Sequence, residues 1–108
     1  MAFHGHSVPA GYHKTPEVKT FESYSHLVHV KFKAQYPHGV INEITTAIGG
    51  EDSIPSAARF VRDVVSLKPD NIFIDYALND RSRPTEKAEA AWLEMTAAAK
   101  NPKCQWCC

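Results

Sequence analysis

Ile72-Phe73-Ile74 is an unbroken apolar run, and it constrains the fold of this chain more than any other stretch. A strand with one face in water alternates apolar and polar residues, whereas a strand covered on both faces does not. The segment from Asn71 to Tyr76 therefore predicts a strand held between two layers. Helical patterns flank it. Upstream, Ile54, Ala57, Ala58, Val61, Val64 and Val65 form an apolar stripe on a helix that starts near Ser53 and closes before Pro69. Ser53 is the expected N-cap, with Pro55 in the first turn. Downstream, Ala88, Ala91, Trp92 and Met95 mark a helix from Thr85 to Lys100, with Thr85 as its expected cap and Glu86 and Glu89 near the positive end of its dipole.

The same alternation extends towards the N-terminus. Met1 to His4 reads as a short strand. Pro9, Gly11 and Pro16 make residues Val8 to Thr20 a loop. Phe21, Tyr24, Leu27, Val28 and Phe32 recur at helical spacing, predicting a helix from Phe21 to Tyr36 that stops at Pro37-His38-Gly39. Val40 to Thr46, rich in Val, Ile and Thr, reads as a second strand. Strand, helix, strand, helix, strand, helix implies an α/β fold: a short parallel sheet, three layers, right-handed crossovers.

Composition narrows the function classes. At 108 residues the chain is one domain at most, and its 12 basic residues balance 12 acidic ones. No global field draws it to nucleic acid or to an anionic membrane. No apolar run approaches the ~20 residues of a membrane span, and no signal-peptide pattern opens the chain. As written, the sequence reads as cytoplasmic, although a lost leader would leave the same sequence. The three cysteines, Cys104, Cys107 and Cys108, crowd the end and make no disulfide framework.

In a parallel sheet all carboxyl ends lie along one edge, where ligands bind. A cluster of small and polar residues follows each expected strand: Gly5-His6-Ser7, Ala47-Ile48-Gly49-Gly50 and Ala77-Leu78-Asn79-Asp80. Taken singly, they read as a turn with a capping serine, a permissive glycine turn and an Asx turn. Taken together, they place a serine hydroxyl, a closely approachable backbone N–H and an asparagine amide in one crevice. Those are the parts of an acyl-transfer site: a nucleophile and donors for an oxyanion.

In that order and at that spacing, the clusters resemble the first three blocks of the SGNH hydrolases, also called the GDSL esterase/lipase family. The likeness covers roughly residues 3–95. It implies a flavodoxin-like three-layer domain, incomplete here, over residues 1–100, with an unstructured Cys-rich tail at 101–108. It also implies hydrolysis of an acyl or acetyl ester of a small molecule or carbohydrate, without metal or organic cofactor. Ser7 falls on the nucleophile. The Ser7 backbone N–H, Gly50 and Asn79 fall on the oxyanion hole, with His6 and Asp80 beside the substrate pocket. His6 stands where the family usually has Asp, and Ala77 where it usually has Gly.

The family's general base comes from a late Asp-x-x-His block, and this chain has no histidine after His38. Strand alternation points His4 and His6 to one side. His13 lies in the loop, His26 and His29 on the first helix and His38 at its far end, and most are expected to face solvent. Two other readings follow. The chain is a non-catalytic fragment or ligand-binding module that keeps the crevice without turnover, or Cys104-x-x-Cys107 joins His4-x-His6 in a metal site. A third strand lacking its outer neighbour would also leave an apolar edge open to self-association.

Overall fold

A computed structural model describes residues 1–100. β1 (Ala2–Gly5) is followed at once by a single helical turn, α1 (Ser7–Ala10). The expected loop contains a small antiparallel hairpin, β2 (Tyr12–Lys14) and β3 (Glu17–Val18), turning at Thr15-Pro16. A 3₁₀ turn over Thr20–Glu22 leads into α2 (Tyr24–Gln35). Then come β4 (Ile44–Thr45), α3 (Ser53–Asp63), a second 3₁₀ turn over Val65–Leu67, β5 (Ile72–Asp75), the short α4 (Ala77–Asp80) and α5 (Thr85–Ala99).

β4, β1 and β5 form one parallel sheet in the order β4-β1-β5. The first strand is thus central, and the next two lie on opposite sides of it. Among the described residues β5 pairs with β1 alone, so it is an edge strand. β1 alternates between the two faces. Phe3 stacks on Phe73 with centroids 4.7 Å apart and meets Tyr24 of α2 edge-on at 5.9 Å. His4 points the other way and meets Phe60 of α3 at 5.2 Å. The main core lies on that second face, where Ala57, Phe60 and Val64 pack with Ala2, Tyr76, Ala91 and Met95.

Several boundaries differ from the sequence expectation, each for a local reason. α2 begins at Tyr24 because Ser23 caps it by accepting from His26 N–H. Phe21 is left on the 3₁₀ turn, largely exposed. β4 is far shorter than Val40 to Thr46, because its ladder with β1 starts only at Ile44. Ile44 N–H already bonds to Met1 O, and the terminal amine takes Asn42 O at 2.9 Å. The cap of α3 is Asp52, whose Oδ1 accepts from Ile54 N–H at 3.1 Å, rather than Ser53. On α3 the buried stripe runs through Ser53, Ser56, Ala57 and Phe60, leaving Val61 exposed. Pro84, not Thr85, occupies the cap position of α5. The apolar run of β5 is only half covered, with Phe73 39% exposed.

Candidate active site

The chain leaves β1 at Gly5 and turns into α1 at His6. Gly5 is required there. A Cβ on it would lie 2.6 Å from Pro9 Cγ and 2.7 Å from the Asp75 carbonyl oxygen, neither of which can swing away. That close packing holds α1 against the end of β5 and fixes Ser7 as the first helical residue, half-buried at the carboxyl end of the central strand.

His6 is the cap of α1. Its Nδ1 accepts Val8 N–H at 3.2 Å and lies 3.4 Å from Ser7 Oγ. A backbone N–H can only donate, so Nδ1 carries the lone pair and Nε2 the proton. Nε2 faces Asp75 Oδ1 at 3.4 Å, at the end of the neighbouring strand. Tyr24 shares Asp75 from the opposite face; burial, and then the Asp75 carboxylate, push the Tyr24 hydroxyl upward from its ordinary value.

The second cluster closes on Ser7. Ile48 N–H bonds to Gly5 O at 3.0 Å, and Glu51 N–H returns to Ile48 O at 3.3 Å. Gly50 takes φ 81, the left-handed value a type II turn needs at its third residue. A Cβ built on Gly49 would be 3.9 Å from Ser7 Cβ, and one built on Gly50 would meet nothing within 4 Å. Gly50 is therefore needed for its conformation and borders open space. Among the described residues the Ser7 and Gly50 N–H groups take part in no hydrogen bond.

Asn79 joins the third cluster to the second by donating from Nδ2 to Glu51 O at 2.6 Å. One amide hydrogen is used there, leaving the other available. Asp80 spends both oxygens inside the fold: Oδ1 accepts Ser53 N–H at 2.9 Å and Oδ2 accepts Trp92 Nε1–H at 2.7 Å. It anchors α3 and α5 rather than facing the open side of the crevice.

Beneath the crevice runs a buried chain of hydroxyl and ring donors. His4 Nδ1 meets Thr46 Oγ1 at 2.7 Å and His4 Nε2 meets Ser56 Oγ at 2.6 Å. Ser56 Oγ donates to the Tyr76 hydroxyl, which donates to Glu51 Oε2 at 3.3 Å. Arg59 clamps Glu51 through Nε and Nη2 and reaches Asp63 through Nη1. The network fixes the residue that follows Gly50. Burial, followed by the nearby Arg59 charge, lowers the His4 pKa to about 4. Burial pushes the Tyr76 hydroxyl up to about 12.

Ser7 thus lies against the Gly49-Gly50 turn, and Asn79 is tied to the end of that turn through Glu51 O. The expectation for the histidines is corrected: His4 and His6 are 0% and 1% exposed, because alternation turns both onto the covered face beside Tyr76. Both ring nitrogens of His4 are committed within the fold, so it has none to offer a metal. Cys104, Cys107 and Cys108 lie outside the described residues. Sequence reasoning missed Asp75, Glu51 and the Thr46–His4–Ser56–Tyr76 network. Asp75 ends β5 opposite Gly5, a placement set by cross-strand register. Among the described residues one group, His26, His29 and Glu43, presents three ligand-type atoms within 4.8 Å of one another, away from Ser7 at the amino end of β4.

No protein-family model and no curated protein matches the chain. Solved structures do. The psychrotrophic esterase EstA from Pseudoalteromonas sp., in a form inhibited by monoethylphosphonate, superposes with a TM-score of 0.72 at 22% identity, over 91% of this chain and 54% of EstA. TesA gives 0.74 at 20% identity over 92% and 53%. AlinE4, an SGNH-hydrolase family esterase, gives 0.71 at 20% identity over 94% and 53%. The chain therefore has the α/β fold of the SGNH hydrolases, and it spans about half the length of these relatives. It corresponds to an N-terminal half, as the order of the clusters implies.

Proposed function

We propose that this chain carries the nucleophile half of an SGNH-type serine ester hydrolase acting on acyl or acetyl esters of small molecules or carbohydrates. One observation carries the reading. Ser7 stands at the carboxyl end of the central strand, beside the point where strand order reverses between β1 and β5, with the Gly49-Gly50 turn against it.

In this mechanism Ser7 Oγ attacks the ester carbonyl carbon, and the carbonyl π electrons move onto oxygen. The Ser7 and Gly50 N–H groups and the Asn79 amide stabilise that oxyanion. Its collapse expels the alcohol, and water then releases the acid from the acyl-serine. The base that takes the Ser7 proton, and its carboxylate, are assigned to sequence outside these residues. His6 is a positioning residue, because its Nδ1 lone pair already holds the first turn of α1 through Val8 N–H. A second reading, a crevice without turnover, is favoured by the engagement of the two nearby histidines within the fold, His6 Nδ1 with Val8 N–H and both His4 nitrogens with Thr46 and Ser56.

Hydrolysis of p-nitrophenyl acetate by the wild type and Ser7→Ala separates the two. A slow rate that Ser7→Ala abolishes is the expected result. Equal rates in both proteins overturn the hydrolase reading for this chain.

A further inference from the structure

His26 and His29 stand three residues apart on α2, and both turn a ring nitrogen towards Glu43, the residue just before β4. His26 Nδ1 lies 3.0 Å and His29 Nδ1 3.3 Å from the same oxygen, Glu43 Oε2. His29 Nε2 is 3.0 Å from Ile41 O, and a carbonyl only accepts, so Nε2 carries the hydrogen. The neutral ring then has its lone pair on Nδ1. That nitrogen is buried and has no hydrogen-bond partner among the described residues, although a carboxylate oxygen lies close by. Two lone pairs facing one another repel, unless a proton or a metal ion sits between them.

We propose that His26 Nδ1, His29 Nδ1 and Glu43 Oε2 are the protein ligands of a divalent transition-metal site of the zinc type, with solvent as the fourth ligand. The geometry fits on two counts. Tetrahedral zinc with bonds of about 2.0–2.1 Å separates its ligand atoms by roughly 3.3–3.4 Å, close to the two separations found here. A metal-bound histidine also typically donates its other ring N–H to a carbonyl or carboxylate, as His29 does to Ile41 O. Two imidazoles and one carboxylate suit zinc and its first-row neighbours rather than magnesium or calcium. The ion would fasten α2 to the 41–43 segment at the amino edge of the sheet, opposite Ser7. Its role is therefore to hold the lead-in to β4, a strand with only two paired residues, and it stands apart from any ester chemistry.

The test is zinc titration of the metal-free full chain, with thermal unfolding as second readout. The triple variant Cys104→Ser, Cys107→Ser, Cys108→Ser is run in parallel, since tail thiols also bind zinc. One equivalent in both proteins, at least tenfold weaker binding in Glu43→Gln and in His29→Asn, and a zinc-dependent rise in melting temperature lost in Glu43→Gln are expected. Far-UV circular dichroism shows that each variant is folded. Should Glu43→Gln not fold, His29→Asn and the Co²⁺ spectrum, with visible d–d bands and no thiolate charge transfer, decide the matter. Saturable zinc uptake that follows the cysteines alone, that survives both ligand variants, or that is absent from the wild type overturns the site.

Discussion

Asn79 Nδ2 lies 2.6 Å from the Glu51 carbonyl oxygen, so the residue offered as an oxyanion donor also pins the turn that carries the other donor. Asn79→Ala should therefore act twice. It removes a side-chain donor, with a loss of about 10²–10³ in any Ser7-dependent rate. It also frees Glu51 O, lowering stability by about 1 kcal/mol. Asn79→Asp keeps the shape but sets a carboxylate oxygen against the carbonyl, so its urea midpoint should fall below that of Asn79→Ala. A midpoint equal to wild type in both variants would show that the tie contributes nothing.

His6 is the position where the resemblance leads one to expect Asp, and its Nδ1 caps α1. Aspartate is among the best capping residues, and alanine among the poor ones. His6→Asp should keep the fold and whatever Ser7-dependent rate the wild type has, although the new carboxylate faces Asp75. His6→Ala should lose about 1 kcal/mol of stability. A loss of rate in His6→Asp with an unchanged urea midpoint would instead make His6 the base. The pH–rate profile, not stability alone, tells the two roles apart.

The fold was legible wherever one segment carried its own signal. The β5 strand and the α5 helix with its stripe were legible because periodicity is local, and so were the positions of the three clusters just after their strands. What was not legible depends on partners distant in sequence. β4 shrank because its length is set by β1. Phe73 is half exposed because coverage depends on the layer beside it, which a run of apolar residues does not reveal. His4 and His6 looked like solvent-facing histidines, but both lie beside Tyr76 on the covered face, His4 also paired with Ile74. In the candidate site, Ser7, Gly50 and Asn79 could be proposed from block order. Asp75 and Glu51 could not, because their roles come from cross-strand register and from the Arg59 clamp.

Gly5 offers a stability test independent of any chemistry. Its missing Cβ leaves space that Pro9 and the Asp75 carbonyl already fill. Gly5→Ala should cost about 1–3 kcal/mol through overpacking, read as a lower urea midpoint. Gly49→Ala is the matched control, since its new Cβ would make only ordinary contact with Ser7. Equal midpoints in the two variants would mean that α1 gives way without cost.

Among the described residues β5 presents an unpaired edge, with Phe73 39% exposed beside it. Such edges recruit further strands. Sedimentation velocity of the purified chain should show concentration-dependent self-association that Phe73→Lys reduces, with circular dichroism confirming that the variant is folded. A monodisperse wild-type monomer across the accessible concentration range would refute self-association through this strand.

His4 gives the stability a defined pH dependence. Its pKa is about 4 in the fold against 6.5 in the open chain, so between those values the unfolded chain holds a proton that the native state lacks. Stability must then rise with pH across that window. The contribution is fully present above about pH 6.5 and is lost as pH falls towards 4, amounting to roughly 3 kcal/mol. Asp63 also titrates abnormally, its carboxyl held near 2 first by its hydrogen bond from Arg62, but its effect falls below that window. Urea midpoints at pH 4.5 and 7.5 should therefore differ strongly in the wild type. His4→Gln, which keeps polar atoms for Thr46 and Ser56 but cannot take up a proton in this range, should be less stable at neutral pH and flatter across the window. A wild-type slope that persists unchanged in His4→Gln would assign the acid sensitivity to another group.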